Sequence, residues 1–322
     1  MDARGAISAA VLPPLSLEEW KETRDTLHLY IQIVGKVRLA SAPPQNHWWH
    51  CPLYVSARGL TTRRMRSGDV NFEIDFDLIE HKVVVRDDRG DESSFPLRHG
   101  LSVASFYDEL FAQLARLDVR PSIKAEPYGV PMSTPFSEDT DHASYDADSV
   151  ERFWRVLSDV DWVFQEFSGW FRGKSSPVHL FWHSLDLAVT RFSGRQLPEP
   201  LGGDAVSREA YSDEVISFGF WSGDEKVQAP AFYSYTAPEP HDLGEQPLSP
   251  EQAFWAETGS GHQARLWYDD VRASASPRSV LLSFLQSAYE AGASTAGWDT
   301  DALASSWAPT PETLAALRAG QA

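Results

Sequence analysis

The chain has 322 residues, 42% of them hydrophobic and 12% aromatic, enough for one large core or two ordinary ones. With 28 Lys and Arg against 46 Asp and Glu, its formal charge is −18, which sets it against nucleic-acid phosphate and anionic lipid as partners. A single cysteine, Cys51, rules out an intrachain disulfide, and no run approaches the length of apolar residues that a membrane helix needs.

The opening stretch MDARGAISAAVLPPLS lacks the apolar run of a signal peptide, so the expectation is a cytoplasmic protein with a flexible segment over residues 1–15. A first lobe is expected over 16–130. In LSLEEW, Ser16 is placed as a helix cap and Glu19 as its capping-box partner, with Leu15 and Trp20 as the hydrophobic staple. Trp20, Leu27, Ile31 and Val34 keep helical spacing to about Leu39. CPLYVSA (51–57) alternates as a half-buried strand, and VNFEIDFDLIEHKVVVRDD reads as two more strands with a turn near Glu80–Lys82. Its carboxylates Glu73, Asp75 and Asp77 form a solvated outer face, balanced by RRMR nearby. A second helix runs from Ser102 to Asp118.

Four prolines and the acidic SEDTDHASYDADS follow, and residues 131–147 are the expected crossover between lobes. Asp139, Asp141, His142 and Asp146 lack the glycine and closing glutamate of a calcium loop. The second lobe, 148–292, begins with a helix capped by Asp148 that reaches about Phe171. VHLFWHSLDLAVTRF then reads as one strand, with further strands around VISFGFW, AFYSYT and ARLWYDDV. Ser276 caps a last helix with Pro277 in its first turn and Gly292 at its end, and an Ala-rich helical tail fills 293–322. The expected fold class is α+β: two similar-order lobes, each an antiparallel sheet covered by a long N-terminal and a shorter C-terminal helix.

The two lobes share the pattern W-H-x7-R, with Trp49, His50 and Arg58 matching Trp182, His183 and Arg191. Strand parity opposes a residue-level duplication, because the histidine falls on the apolar face of the second strand and off it in the first. Four histidines lie in these segments: His47 and His50 beside Trp48 and Trp49, and His179 and His183 beside Trp182. On a helix, the spacing of His179 and His183 would let both bind one ion, whereas on a strand the two rings start about 13 Å apart. Whether a metal or other cofactor is bound is left open.

TLHLYIQIVGKVRLA, NHWWHCPLYVSARGLTT, HASYD and LAVTRFSGR resemble a bacterial family known only as a domain of unknown function. The resemblance runs from about Trp20 to Trp298 and implies a soluble bacterial protein; it carries no activity or catalytic residue.

No G-x-S-x-G, G-x-G-x-x-G or P-loop pattern is present. The functional expectation is an enzyme acting on a small metabolite in a pocket between the lobes, by histidine acid–base chemistry with or without a metal. His47, His50 and His179 are the candidate catalytic residues. Trp48, Trp49, Arg58, Trp182, His183, Arg191 and His28 are the candidate substrate contacts. The alternative is a non-catalytic small-molecule-binding or protein-interaction module in which the His and Trp clusters are structural.

Overall fold

The structure, a computed structural model, describes residues 12–320. Residues 1–11 of the expected flexible N-terminus, and the last two residues of the expected tail, lie outside the described residues. In chain order the elements are α1 (Leu17–Ser41), β1 (Tyr54–Ser56), β2 (Gly59–Thr61), β3 (Met65–Ser67), β4 (Val70–Asp77), β5 (Lys82–Asp87), β6 (Glu92–Pro96), α2 (Val103–Arg116) and α3 (Ala147–Gly169). They continue with β7 (His179–Phe181), β8 (Asp186–Gln196), α4 (Ala205–Ala210), β9 (Asp213–Trp221), β10 (Ala231–Ala237), β11 (Phe254–Thr258), β12 (Gly261–Trp267), α5 (Tyr268–Arg272), α6 (Pro277–Thr295), α7 (Thr300–Leu303) and α8 (Pro311–Arg318). One antiparallel sheet has the order β1-β2-β4-β5-β6, with β3 also paired to β4; the other has the order β11-β12-β10-β9-β8-β7. The fold is therefore α+β with two sheets, as the patterning indicated.

Two compact units divide the chain. The first holds Leu15–Ser158 and His179–Asp186; the second holds 12–14, Asp159–Val178 and the rest from Leu187. The division passes through α3 rather than through the proline-rich crossover.

In the first unit, α1 is buried on every side from Leu27 to Val34, its polar His28 and Gln32 included. Tyr30 stacks on Phe106 of α2 at 4.2 Å between ring centres, and Phe106 in turn meets Phe76 of β4 and Phe95 of β6. This aromatic stack is the core that fixes α1 and α2 over the sheet. The local signals behave unevenly. Ser102 caps α2, accepting from the Ser105 amide at 3.1 Å. Ser16 makes no side-chain cap bond, so the expected capping box does not form. The α3 cap is Asp146 rather than Asp148: its carboxylate accepts the Ser149 N–H at 2.8 Å.

β4 alternates as expected, with Phe72, Ile74 and Phe76 buried. Its carboxylates are not balanced by RRMR, however. Asp77 is itself buried and binds Arg58 at 2.8 and 3.2 Å, while Asp75 pairs with Arg86 of the neighbouring strand β5. Arg86 of β5 is registered opposite Glu73, and Gly59, next to Arg58, opposite Asp77, whereas Met65 and Arg66 of RRMR pair with Phe72 and Asn71 at the other end of β4.

The stretch VHLFWHSLDLAV is not one strand. It breaks into β7 and β8 around a turn in which the Leu185 N–H reaches the Phe181 carbonyl at 2.8 Å and Leu185 takes φ 56°. A left-handed leucine is unusual, since its Cβ crowds the following carbonyl, and sequence pattern gives no warning of it.

The second unit packs the later half of α3 and α6 with β8 to β12. Phe218, Phe220, Phe232 and Leu266 are buried, and Arg278 of α6 ties to Glu166 of α3. Gly292 does not end α6, which continues to Thr295. A Cβ there would stand 2.3 Å from Thr236 Oγ1 and 2.9 Å from Ile216 Cδ1, so the glycine lets α6 approach β9 and β10.

Candidate functional site

The segment QNHWWHC leaves α1 in a tight 3-10 turn over Asn46–Trp48. His47 and Trp48 both take left-handed φ angles, 54° and 60°. Two consecutive non-glycine residues in this region cost on the order of 1–3 kcal/mol each, strain that the surrounding packing must sustain. The Gln45 N–H donates to His50 Nδ1 at 3.0 Å, which leaves the proton of a neutral His50 on Nε2. Burial lowers the His50 pKa, and its ring stacks on Trp48 at 5.6 Å.

What brings the second histidine segment here is one antiparallel bridge. Leu53 and Leu180 exchange two backbone hydrogen bonds of 2.9 Å, which places β7 beside the start of β1. His179 then stands edge-on to Trp49 at 6.2 Å, Tyr54 at 5.5 Å and Phe181 at 5.5 Å. Trp49 links the two histidine segments, its ring 5.7 Å from that of His47. Both segments belong to the first unit, so the cluster is not the inter-lobe pocket that chain order suggested.

His179 is fully buried, and neither ring nitrogen has a hydrogen-bond partner. Burial, reinforced by the guanidiniums of Arg38 and Arg63, holds its pKa down to about 3, so the ring is neutral at physiological pH. Arg38 comes from the last turns of α1. Its Nη1 donates to the Thr62 carbonyl, its Nε has no acceptor, and its Cζ lies 5.4 Å over the Tyr54 ring. Arg63, with φ 56°, lies 3.4 Å over the same ring. Cys51 is buried beside them, its thiol pushed up to about 12 by desolvation. The site thus offers two cations, a neutral imidazole and an aromatic wall. Such a set can hold an anion and exchange a proton with it.

A second group surrounds Trp182. His28 Nε2 lies 3.0 Å from the Trp182 carbonyl and 3.3 Å from Gln32 Nε2; donation to the carbonyl places a proton on Nε2. Desolvation, with Arg24 nearby, holds the His28 pKa down to about 3. Gln32 closes both polar ends of its amide on the Tyr128 backbone at 2.9 Å. Gly35 lets the indole of Trp182 lie against α1, since a Cβ there would stand 2.2 Å from its Cγ. His183 rests against Phe181, Trp182 and Tyr128, its pKa lowered by burial against the opposing charge of Asp186.

His47, Trp48, Trp49, His50 and His179 are therefore gathered around one another, and His28 and His183 around Trp182. Arg58 belongs to neither group, being half-exposed and held by Asp77. Arg191 lies in the second unit. Arg38, Arg63 and Tyr54 were missed by sequence reasoning. Arg38 had a signal: it extends the buried stripe of Ile31 and Val34 by one further turn, where a charge is out of place. Among the described residues, no group of three His, Cys, Asp or Glu side chains is placed to hold a metal ion, and no helix is long and apolar enough to cross a membrane.

Comparison with curated proteins and with solved structures returned no match. The chain belongs to a family of unknown function, DUF5996, which it matches over residues 12–305.

Proposed function

We propose that the protein is an enzyme acting on a small anionic metabolite at the Trp49–His179 cluster. Arg38 and Arg63 hold the anionic group, the neutral imidazole of His179 exchanges a proton with the ligand, and the strained turn carrying His47, Trp48 and His50 closes over it. The observation that carries this reading is the state of His179: two buried ring nitrogens without partners, beside two guanidiniums. An unsatisfied buried polar group costs about 1–3 kcal/mol, and a ligand's polar group would relieve that cost. The charge of −18 and the single cysteine support a cytoplasmic setting away from nucleic acid.

A non-catalytic ligand-binding module is the second reading. It is favoured by the complete burial of the His179 ring, which leaves no side of it open to solvent. One experiment separates the two. The full chain and its His179→Leu variant are incubated with a pooled set of carboxylate and phosphate-ester metabolites, and both depletion and retention are followed by mass spectrometry. Depletion of a compound by the wild type alone supports the enzyme. Retention without depletion, again by the wild type alone, supports the binding module. Identical behaviour of the two chains defeats both readings.

A further inference from the structure

The second unit contains a different feature, independent of the His179 cluster. Arg191 of β8 is 1% exposed and has no carboxylate within ion-pair distance among the described residues. Its guanidinium carbon lies 3.5 Å from the Phe167 ring centre, 4.5 Å from that of Tyr289 and 5.0 Å from that of Phe171. One N–H goes to the Phe167 carbonyl, and Nε has no acceptor. Buried charges are ordinarily paired with an opposite charge, and aromatic faces compensate only part of the lost hydration.

Arg191 is among the residues that line a cavity of about 300 Å³ between β8, the end of α3, α6 and the helical tail. The inner wall is Trp170, Phe171 and Tyr289, all buried; the outer edge carries Ser294, Thr300 and Asp301, all exposed. The cavity thus combines a buried arginine that no carboxylate pairs among the described residues, an apolar aromatic body and an exposed edge.

We propose that this cavity binds a small monocarboxylate with a flat aromatic or branched apolar body, its carboxylate directed at Arg191. The volume lies at the lower end of small-molecule pockets, which fits one ring and a short arm. Guanidinium matches carboxylate geometry, and stacking on the aromatic wall accommodates the body. Multiply charged anions are disfavoured: Glu290 and Asp301 stand in the lining, and the whole chain carries −18.

Removing a fully buried guanidinium threatens the fold itself, so the test blocks the opening instead. Phenylacetate, its neutral isostere phenylacetamide, and inorganic phosphate are titrated into the full chain by calorimetry and thermal shift. A Ser294→Trp variant, which places an indole at the mouth of the cavity, and His179→Leu serve as controls. Saturable binding of phenylacetate is expected in the wild type and in His179→Leu. At least tenfold weaker binding is expected for phenylacetamide, for phosphate, and for phenylacetate with Ser294→Trp at an unchanged melting temperature of the free protein. Equal binding of acid and amide would overturn the proposal, as would equal binding by Ser294→Trp or the absence of any response to phenylacetate. Loss of phenylacetate binding in His179→Leu would move the site to the other cluster and equally overturn it.

Discussion

His179 sets a measurable acid sensitivity. In the folded chain its pKa is lowered to about 3, against 6.5 for a free imidazole, because the ring is desolvated beside two guanidiniums. As pH falls, the unfolded chain takes up this proton first, so stability is intact above about pH 6.5 and is lost progressively down to about pH 3. At about 1.4 kcal/mol per pH unit, His179 alone removes about 2 kcal/mol by pH 5, a large part of a typical 5–15 kcal/mol total. His28, held down to the same value, adds a similar amount in the same window. Urea unfolding at pH 7.5 and pH 5.0, with the slope m held common, measures the loss. In His179→Leu the loss between these two pH values should shrink by about 2 kcal/mol, because leucine does not titrate and carboxylate contributions are shared by both chains. At pH 7.5 the variant should be no less stable than the wild type, since two unpartnered nitrogens disappear. An unchanged acid loss would show that His179 titrates normally and is solvated rather than buried.

Gly35→Ala should destabilise the chain by about 1–3 kcal/mol in a thermal melt, despite alanine's better helix propensity, because the new methyl would stand 2.2 Å from Trp182 Cγ. Cys51 should be unreactive toward a thiol reagent at pH 8 in the folded chain and react fully in denaturant, its thiol being buried and pushed up to about 12. Arg58→Ala should leave metabolite depletion or retention unchanged and shift the melting temperature little, since Arg58 is an exposed partner of Asp77, whose carboxylate keeps the Ile79 and Glu80 amides.

What the sequence determined by itself was the part of the fold written in neighbouring residues. The 3.6-residue spacing of Leu27, Ile31 and Val34 sufficed for α1, and the period-two alternation of Phe72, Ile74 and Phe76 sufficed for β4, because burial of one face needs only local periodicity. The aromatic and histidine content also singled out two segments, 47–50 and 179–183, that the fold brings together. Other features depended on contacts distant in sequence. The turn that ends β7 rests on a left-handed leucine that no turn-residue rule flags. The partner of Asp77 is Arg58 across the sheet, not a nearby arginine run. Above all, the pairing of Leu53 with Leu180 decides that His179 meets Trp49 and Tyr54, that Arg38 and Arg63 join them, and that Arg191 stands apart in another core. A strand's own pattern states which face it buries, but not which strand it will pair with. That choice is made by the packing of the whole chain, so the histidines and tryptophans were legible one by one, whereas Arg38, Arg63 and Tyr54 and the assembly of the cluster were not.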